Sequence, residues 1–389
     1  MKNKPHPALR LAEHGLLPDS VIRQGIRTLS QQRLTQEGRF DTEYAAQRYM
    51  AVLHDLINSP IAMDTDKANE QHYEVPAEFF KTVLGPRLKY SACYFAQADH
   101  QKSDSQESDY QQSNHHENNH QQRNKNTKAK FKQTQTPAEA LAHAEEYSLA
   151  QYCQRAQLHD GQQILELGCG WGSLSLWMAA AYPNASITSV SNSHSQREYI
   201  MQQARAQGLT NLQVLTKDVN ELQLPNASFD RVVSVEMFEH VRNYQQLFAN
   251  IAGWLKDDGL LWCHIFCHRF LHYPFEVNNN KDWMSQYFFT GGLMPAASTF
   301  AHFQQHLTIQ DQWQWSGEHY QHTANAWLYN MDANKARLKP LFKATYGKEA
   351  AVWWQRWRMF FMACAELFGL EHGQEWVIGH YLFGKTSQR

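Results

Sequence analysis

The sequence has little net charge, no long apolar run and no paired cysteines, and each absence excludes a class of protein. Lys and Arg total 36 against 38 Asp and Glu, a formal net charge of -2. Because proteins that bind nucleic acids present a cationic surface, a polynucleotide partner is not expected. The opening "MKNKPHPALRLAEHGLL" contains no continuous apolar region, and no later segment reaches the roughly 20 residues that span a membrane. We therefore expect a cytoplasmic protein without stable membrane insertion.

The cysteines are scattered along the chain, at Cys93, Cys153, Cys169, Cys263, Cys267 and Cys364. They lack the paired spacing of a zinc site and the density of a disulfide scaffold, so we expect reduced thiols. In "CHIFCH", two cysteines alternate with His264 and His268. On a strand the cysteines would share one face and the histidines the other, with like residues about 13 Å apart. No metal site is predicted there.

Residues 97–136 are almost entirely polar. They contain no Leu, Ile, Val or Met, and Tyr110 and Phe131 are their only large apolar side chains. Such a segment cannot offset its ordering entropy by burial, so we predict a disordered insertion. Four histidines lie within it, His100, His115, His116 and His120. We interpret them as part of a solvated tract and not as metal ligands.

The rest of the chain shows alternating helix and strand signals. Residues 16–59 carry apolar positions at intervals of three and four, which predicts two or more amphipathic helices. After residue 137 the strand signals "QILELG", "SITSVS", "LQVLTKD", "FDRVVSV" and "GLLWCHIF" alternate with helical segments. This alternation is typical of a doubly wound parallel sheet. "LTIQDQWQWSG" and "EWVIGHYLFGK" are predicted to form a closing antiparallel pair, and the aromatic, irregular residues 269–304 to cap the carboxyl edge of the sheet.

The segment "ILELGCGWGSL" has the features of a nucleotide-binding turn. An acid, Glu166, precedes Gly168, Gly170 and Gly172, and a helix follows. Glycines let the backbone turn tightly and approach a ligand closely at the start of a helix. The spacing is G-x-G-x-G and not the G-x-G-x-x-G of dinucleotide enzymes.

The end of the second predicted strand also argues against a dinucleotide. "SITSVSNSHSQ" offers Ser191, Asn192 and Gln196 where such enzymes place an acid. S-adenosylmethionine fits better, because its sulfonium and ammonium groups require carboxylate and carbonyl acceptors and it has no phosphate. Asp218, at the end of the third strand, either accepts from the adenine amino group or N-caps a helix.

The segment "VEMFEH" places Glu236, Glu239 and His240 directly after an apolar strand. Charged groups at such a position are costly unless they are used or paired. Either the three side chains form a functional cluster, or Glu239 caps the following helix and His240 packs in its first turn.

Several motifs in order along the chain resemble the cyclopropane-fatty-acid-synthase superfamily of S-adenosylmethionine-dependent methyltransferases, and within it the coclaurine N-methyltransferase-like branch. They are "HYEVPAEFF", "KYSACYF", "LELGCGWGSL", "SNSHSQREYI", "VEMFEHVRNY", "LKDDGLL", "GEHYQHTANAW" and "ELFGLEHGQEW". The resemblance covers residues 12–385 except the polar insertion. It implies a class I methyltransferase fold, an α/β Rossmann-like doubly wound sheet of about seven strands with an antiparallel last strand.

The resemblance also implies a division of the chain. We expect a helical N-terminal segment at 1–70 and an S-adenosylmethionine-binding Rossmann-like core at 71–268, which contains the polar insertion 97–136. Residues 269–389 would supply a helical and aromatic substrate cap and the closing strands.

Carried over by position, the resemblance assigns cofactor contacts to Tyr90, Ser91, Gly168, Gly170, Ser191, Gln196 and Asp218. In the N-methyltransferase branch the "E-x-x-E-H" motif lines the substrate pocket, which matches Glu236, Glu239 and His240. We assign Glu236 mainly to anchoring an ammonium group, and Glu239 and His240 to removing its proton.

The fatty-acid branch holds a bicarbonate ion as base. This sequence supplies Glu239, His264 and Tyr320 at matching catalytic positions, but it has Ala92 where that branch has cysteine, with Cys93 one residue later. Neighbouring positions in an extended segment face opposite ways, which weakens the cyclopropanation hypothesis.

Three functions follow as hypotheses. The first is N-methylation of a small, aromatic or cyclic amine, whose proton must first be removed at a cost of roughly 4 kcal/mol near neutral pH. The second is methylene or methyl transfer to unsaturated acyl chains of phospholipids, with the basic amphipathic segment "VIRQGIRTL" touching a membrane. The third is a non-catalytic binding protein that has kept the fold. Trp283, Tyr287, Phe288 and Phe289 either box a cation or form an aromatic core. A homodimer is left open.

Overall fold

Seven strands form one mixed sheet at the centre of the molecule. The computed structural model describes residues 7–63, 76–96, 136–277 and 282–386. The strands are β1 Gln163–Leu167, β2 Ser186–Ser191, β3 Leu212–Thr216, β4 Phe229–Val235, β5 Leu255–His268, β8 Leu307–Trp315 and β9 Trp376–Lys385. A separate two-stranded sheet pairs β6 Tyr273–Pro274 with β7 Leu293–Met294.

The order of the large sheet is β3-β2-β1-β4-β5-β9-β8. Strands β1 to β5 are parallel, and β9 runs antiparallel between β5 and β8. The predicted doubly wound sheet of about seven strands with an antiparallel last strand is therefore confirmed, as is the closing antiparallel pair. The strand order reverses between β1 and β4, and in sheets of this kind ligands bind at the carboxyl ends of the strands beside that reversal.

Helices cover both faces of the sheet and its open end. They are α1 Pro7–Glu13, α2 Asp19–Gln36, α3 Thr42–Ile57, α4 Ala77–Val83, α5 Pro137–Arg155, α6 Ser173–Ala181, α7 His194–Ala206, α8 Tyr244–Trp254, α9 Trp283–Tyr287, α10 Glu318–Ala333, α11 Lys335–Tyr346 and α12 Ala350–Phe368. The amphipathic helices expected in residues 16–59 are α2 and α3. In the described part of the chain, no helix is both long and apolar enough to span a membrane.

Helix α5 begins at a capping box. The Thr136 side chain accepts from the Glu139 N–H, the Glu139 carboxylate accepts from the Thr136 N–H, and Pro137 occupies the first turn. Thr136 therefore belongs to a helix start and not to the disordered insertion that we predicted. The remainder of that prediction, residues 97–135, lies outside the described residues.

The segment "VIRQGIRTL" lies in α2 with one side packed on the protein, while Val21 and Leu29 are exposed. Ile22 is buried, and the guanidinium groups of Arg23 and Arg27 both pair with Glu366 of α12. A membrane-binding helix needs its basic residues free to meet anionic lipid headgroups. These two arginines are instead held by an internal carboxylate, so the structure gives no support to the membrane contact considered for this segment.

Strand β5 alternates as its sequence pattern predicts. Cys263 and Cys267 pack into the apolar cluster on one face, with Phe248 and Phe300, and His264 lies on the other face beside Trp262 and Tyr152. Within the described ranges, no group of three or more His, Cys, Asp or Glu side chains is placed to hold a metal ion.

Candidate active site

A cavity of about 300 Å³ opens at the carboxyl ends of β1, β2, β4 and β5. One end is bounded by the glycine turn after β1 and the polar residues after β2. The other is bounded by Phe275, Phe289 and aromatic side chains from β5, α10 and α12. The cavity thus joins a polar end, suited to a nucleoside, to an apolar end.

The glycine turn has the backbone shape that its sequence predicts. Gly168 and Gly170 have φ values of 79° and 50°, in the left-handed region that favours glycine. A Cβ on Gly168 would lie 2.6 Å from the Met237 side chain, whereas a Cβ on Gly170 would meet nothing within 4 Å. Gly168 is therefore required for close packing, and Gly170 leaves its backbone open to the cavity.

The polar end offers hydrogen-bonding atoms that the described residues do not satisfy. Ser191 Oγ donates to Gln196 Oε1 at 2.6 Å, which leaves the Gln196 Nε2 amide buried with no partner among the described residues. Ser173 Oγ, at the start of α6, is also buried and unpartnered there. All three side chains line the cavity. Buried polar atoms are normally satisfied, so these fit a polar ligand that completes them.

Glu166 is a further residue at the polar end of the cavity. It was not among the predicted cofactor contacts, although its position before the first glycine of the turn is a signal in the sequence. Its Oε2 accepts from the hydroxyls of Ser175 and Ser189, the latter at 2.8 Å. Burial raises the pKa of Glu166 to about 7. Glu166 also lines the cavity, where a cationic group would favour its ionised form.

Tyr90 and Ser91 line the cavity from the segment that follows α4. Tyr90 packs against the rings of Phe80 and Trp327, at centroid distances of 5.2 and 5.4 Å. The structure therefore brings these two predicted residues beside the glycine turn.

Asp218 is placed differently from either expectation. Its Oδ1 accepts from the backbone and side-chain N–H groups of Asn220, at 2.7 and 2.8 Å. The described residues that follow it, 219–228, form turns, so Asp218 does not N-cap a helix. Its neighbours Lys217 and Val219 line the cavity, whereas Asp218 is not among the described residues that do so. Its contact with adenine stays a prediction.

Glu236 is the one of the three clustered residues Glu236, Glu239 and His240 whose carboxylate lines the cavity. It adopts φ 46°, a left-handed conformation that is strained for a side chain of this size. Its Oε1 accepts from the Ala92 N–H at 2.8 Å and lies 3.1 Å from His264 Nε2, and its Oε2 accepts from the Tyr320 hydroxyl at 3.0 Å. Three elements far apart in the sequence therefore hold one carboxylate.

The pKa of Glu236 is raised to about 7 by burial, against the opposing effects of the Lys89 charge and the hydrogen bonds from Ala92 and Tyr320. A base with a pKa near neutrality can both hold a proton and release it at physiological pH.

His240 also lines the cavity, at the end of the short 3₁₀ helix Phe238–His240. Its ring lies against Phe289, with centroids 4.8 Å apart. Burial lowers the pKa of His240 to about 4, so the imidazole is neutral near pH 7.

Glu239 points away from these two residues. Its side chain is fully buried, its Oε1 accepts from the Phe266 N–H at 2.6 Å, and it is not among the described residues that line the cavity. Burial, and then the charge of Glu236, raise the pKa of Glu239 well above its ordinary value. The structure therefore places Glu239 outside the set of described residues that line the cavity, and its share in deprotonation stays a prediction.

The residues matched to the bicarbonate site serve Glu236 instead. His264 and Tyr320 both contact its carboxylate, and the backbone N–H of Ala92, at the departing cysteine position, donates to it. The Cys93 thiol is fully buried one residue later, and burial raises its pKa to about 12. The Glu236 carboxylate is therefore held by His264 and Tyr320, which match two of the residues that hold the bicarbonate ion in the fatty-acid branch.

Lys89 is a residue that no sequence pattern singled out, and it is buried and lines the cavity. Its Nζ donates to Ser91 Oγ at 2.7 Å and to the Ala92 carbonyl, and lies 5.1 Å from the centroid of the Tyr152 ring. Lys89 therefore helps to fix the position of Ala92, whose backbone N–H donates to Glu236 Oε1.

Aromatic and apolar side chains form the other end of the cavity, namely Phe266, Phe275, Met284, Phe289, Met294, Phe360 and Phe368. Of the four aromatics singled out in the sequence, Phe289 lines the cavity. Trp283 and Phe288 are buried in the core, and Tyr287 packs on Arg356. The aromatic-core interpretation is thus correct for most of that segment.

Comparisons with known proteins agree with this geometry. The family model described as mycolic acid cyclopropane synthetase matches residues 101–376. (S)-Coclaurine N-methyltransferase of Thalictrum flavum subsp. glaucum is 34% identical over 97% of this chain and 95% of its own length. Cyclopropane-fatty-acyl-phospholipid synthase of Escherichia coli K12 is 27% identical over 79% of this chain and 66% of its own length.

Among solved structures, coclaurine N-methyltransferase bound to N-methylheliamine and S-adenosylhomocysteine superposes with a TM-score of 0.83. It is 33% identical and covers 97% of this chain and 99% of its own. A cyclopropane synthase from Mycobacterium tuberculosis, 18% identical, has a TM-score of 0.60 over 84% of this chain and 99% of its own, and shares the fold.

Proposed function

We propose that this protein N-methylates a small amine with an apolar, ring-containing body. The chain belongs to the mycolic acid cyclopropane synthetase family and is an S-adenosylmethionine-dependent methyltransferase. The relative from Thalictrum flavum is named for the same kind of reaction, on coclaurine.

The observation that carries the proposal is the Glu236 carboxylate at the cavity, held by Ala92, His264 and Tyr320. The ionised form of this carboxylate, in a mostly apolar cavity, attracts and orients an ammonium group, which in turn favours ionisation. An acyl chain has no group that would compensate this carboxylate, and its burial would leave the charge unpaired.

The residues at the polar end fit the cofactor, which supplies an activated methyl group when bound. The open backbone at Gly170 admits close approach, and Gln196 Nε2 and Ser173 Oγ offer the hydrogen-bonding groups that the described residues leave unsatisfied. Gly168, Tyr90, Ser91 and Ser191 complete the binding surface that we propose.

Proton removal is best assigned to Glu236, which revises its role from anchor alone. Moving a proton from an amine with a pKa of about 10 to a group with a pKa of about 7 costs roughly 4 kcal/mol, against roughly 8 kcal/mol for a group with a pKa of about 4. The group with a pKa of about 4 is His240, so it is the weaker base of the two. Its neutral ring nitrogen accepts a second N–H of the amine and so directs the lone pair.

The apolar end selects the body of the acceptor. Phe266, Phe289 and Phe368 present ring faces and edges there, and burying a ring against them is favourable by roughly 25 cal/mol per Å² of apolar surface. We propose that residues 269–389 supply the substrate cap and the closing strands of the core, next to a helical N-terminal segment at 1–70 and a cofactor-binding core at 71–268. The homodimer and the cytoplasmic location stay predictions.

A transfer assay tests the proposal. The purified protein, with methyl-labelled S-adenosylmethionine, is offered a panel of secondary and primary cyclic amines and, separately, vesicles of unsaturated phospholipid. Label should enter the amines. Label in the lipid acyl chains with none in any amine would contradict the proposal and favour the lipid alternative. If calorimetry detects no binding of the cofactor, the result would favour the third hypothesis, a non-catalytic binding protein that has kept the fold.

A further inference from the structure

Two histidines lie behind Glu236 on neighbouring strands. His264 of β5 and His380 of β9 are directly paired across the sheet, both are fully buried, and their ring centroids are 4.8 Å apart. His264 Nε2 lies 3.1 Å from Glu236 Oε1, and His380 Nδ1 lies 2.7 Å from Arg155 Nη1. The four side chains form a continuous row from the last residue of α5 to the carboxylate in the cavity.

The chemistry of the two ends determines where the ring protons lie. A guanidinium group can only donate, so His380 Nδ1 is the acceptor and its proton is on Nε2. An ionised carboxylate can only accept, so His264 carries its proton on Nε2 and has a bare Nδ1. The remaining nitrogens, His380 Nε2 and His264 Nδ1, are both buried and lack a hydrogen-bond partner within the described ranges. One is thus a donor and the other an acceptor on adjoining rings.

We infer that Arg155 and His380 are positioning residues, which favour the tautomer of His264 that donates its Nε2 proton to Glu236, because a proton on His264 Nδ1 would place two donors on adjoining rings. The role of Glu236 rests on the proposed function, whereas the tautomers do not. Arg155 donates to His380 and His264 donates to Glu236, and between them the two rings are in contact without a hydrogen bond among the described residues. The donated Nε2 proton stabilises the ionised form of Glu236. Burial lowers the pKa of both histidines well below the ordinary value, which keeps the rings neutral, as two fixed tautomers require.

Arg155 is held for this task by aromatic rings. Its guanidinium carbon lies 5.2 Å from the centroid of Trp313 and 5.1 Å from that of Trp315. Across the described residues, no carboxylate forms an ion pair with Arg155, so its donors are available to His380 and the surrounding polar groups. Stacking on two indoles fixes the plane of the guanidinium without neutralising its charge.

Other groups also act on Glu236 and form a constant background in the variants below. They are Lys89, Cys93, Glu239, His240, Tyr320 and Cys364. Removing the row leaves these groups in place, so a change in the titration of Glu236 measures the contribution of the row.

The first experiment observes the tautomers directly. Nitrogen-15 NMR of the histidine-labelled full-length protein, with His264 and His380 assigned by comparison with H264Q and H380F, should show protonated Nε2 in both rings. Arg155→Met should lower the fraction of His264 that carries its proton on Nε2, and Arg155→Lys, which keeps a donor and a charge, should preserve it. Protonated Nδ1 at His264 in the unaltered protein would overturn the inference.

The second experiment measures methyl transfer against pH. Losing the row should raise the pH midpoint of the acid limb by about half a unit in both Arg155→Met and His380→Phe, a loss of about threefold in rate below that midpoint. Arg205→Met, which removes an exposed arginine in the last turn of α7, should leave the midpoint unchanged.

Comparing the two variants distinguishes a connected row from an arginine charge that acts through space. A midpoint that moves in Arg155→Met but not in His380→Phe would overturn the inference, because the charge alone would then suffice. A profile that only falls in height would also overturn it. If no amine is methylated but the tautomers respond as stated, the proposed function fails and the positioning role stands.

Discussion

Replacing Glu236 by Gln removes the charge from the cavity while keeping the side chain's shape. An amide oxygen in the place of Oε1 still accepts from the Ala92 N–H and from His264, and the amide NH₂ in the place of Oε2 donates to the Tyr320 hydroxyl, which can accept. The hydrogen bonds are therefore preserved and the variant isolates the effect of ionisation. If Glu236 removes the amine proton, turnover should fall by roughly 10²–10⁴-fold while cofactor affinity changes little.

The same substitution should stabilise the fold. The folded-state pKa of Glu236, about 7 against an ordinary 4.5, means that burial disfavours the ionised form. The resulting cost is absent below pH 4.5, grows as pH rises through the window between the two values, and is complete above pH 7. A difference of about 2.5 pKa units corresponds to about 3 kcal/mol in the free energy of unfolding. Glu236→Gln should therefore be more stable than the unaltered protein by about that amount at pH 8, and equally stable at pH 4, where the carboxyl is protonated and the cost is absent. A catalytic carboxylate that destabilises its own fold is the expected sign of a functional site.

The assay is urea unfolding at pH 8 and pH 4, alongside single-turnover methyl transfer and calorimetry with S-adenosylmethionine. Glu239→Gln is the matched control, since its side chain is buried and does not line the cavity, and its loss of turnover should be much the smaller. Turnover of Glu236→Gln within about threefold of the unaltered protein would refute the assignment of the base. Equal free energies of unfolding for Glu236→Gln and the unaltered protein at pH 8 would refute the electrostatic argument.

Three further substitutions and one deletion test the rest of the site and the polar insertion. His240→Ala should lower turnover far more than cofactor affinity, because the ring directs the amine; equal losses, measured by kinetics and calorimetry, would contradict this. Gly168→Ala should weaken cofactor binding at least tenfold, since φ 79° and the Met237 side chain both oppose a Cβ; undiminished affinity in calorimetry would show the turn to be adaptable. Tyr320→Phe removes a donor that lowers the pKa of Glu236, so the acid limb of the pH–rate profile should move to higher pH; a shift to lower pH would exclude this role. Deleting residues 100–133 should leave melting temperature and turnover nearly unchanged, and a large drop in either would show that the polar insertion is structural.

Local sequence patterns determined the course of the fold. Short apolar strand signals alternating with helical segments predicted the doubly wound sheet, and three glycines after an acid predicted the turn at its ligand-binding edge. These inferences succeeded because each depends on residues within one or two elements, where backbone sterics and burial act over short distances. For the same reason the strand pattern of "CHIFCH" correctly divided its cysteines from its histidines.

Only the tertiary structure decided which of two glutamates faces the cavity. Glu236 and Glu239 are three positions apart, so a helix would have placed them on one face. Instead the left-handed residue Glu236 and the 3₁₀ turn after it send the two carboxylates apart. The partners of Glu236 come from residues 144, 28 and 84 positions away, and His380 meets His264 only because β9 inserts antiparallel beside β5. Contacts of that separation are set by how the elements pack, which no local pattern encodes.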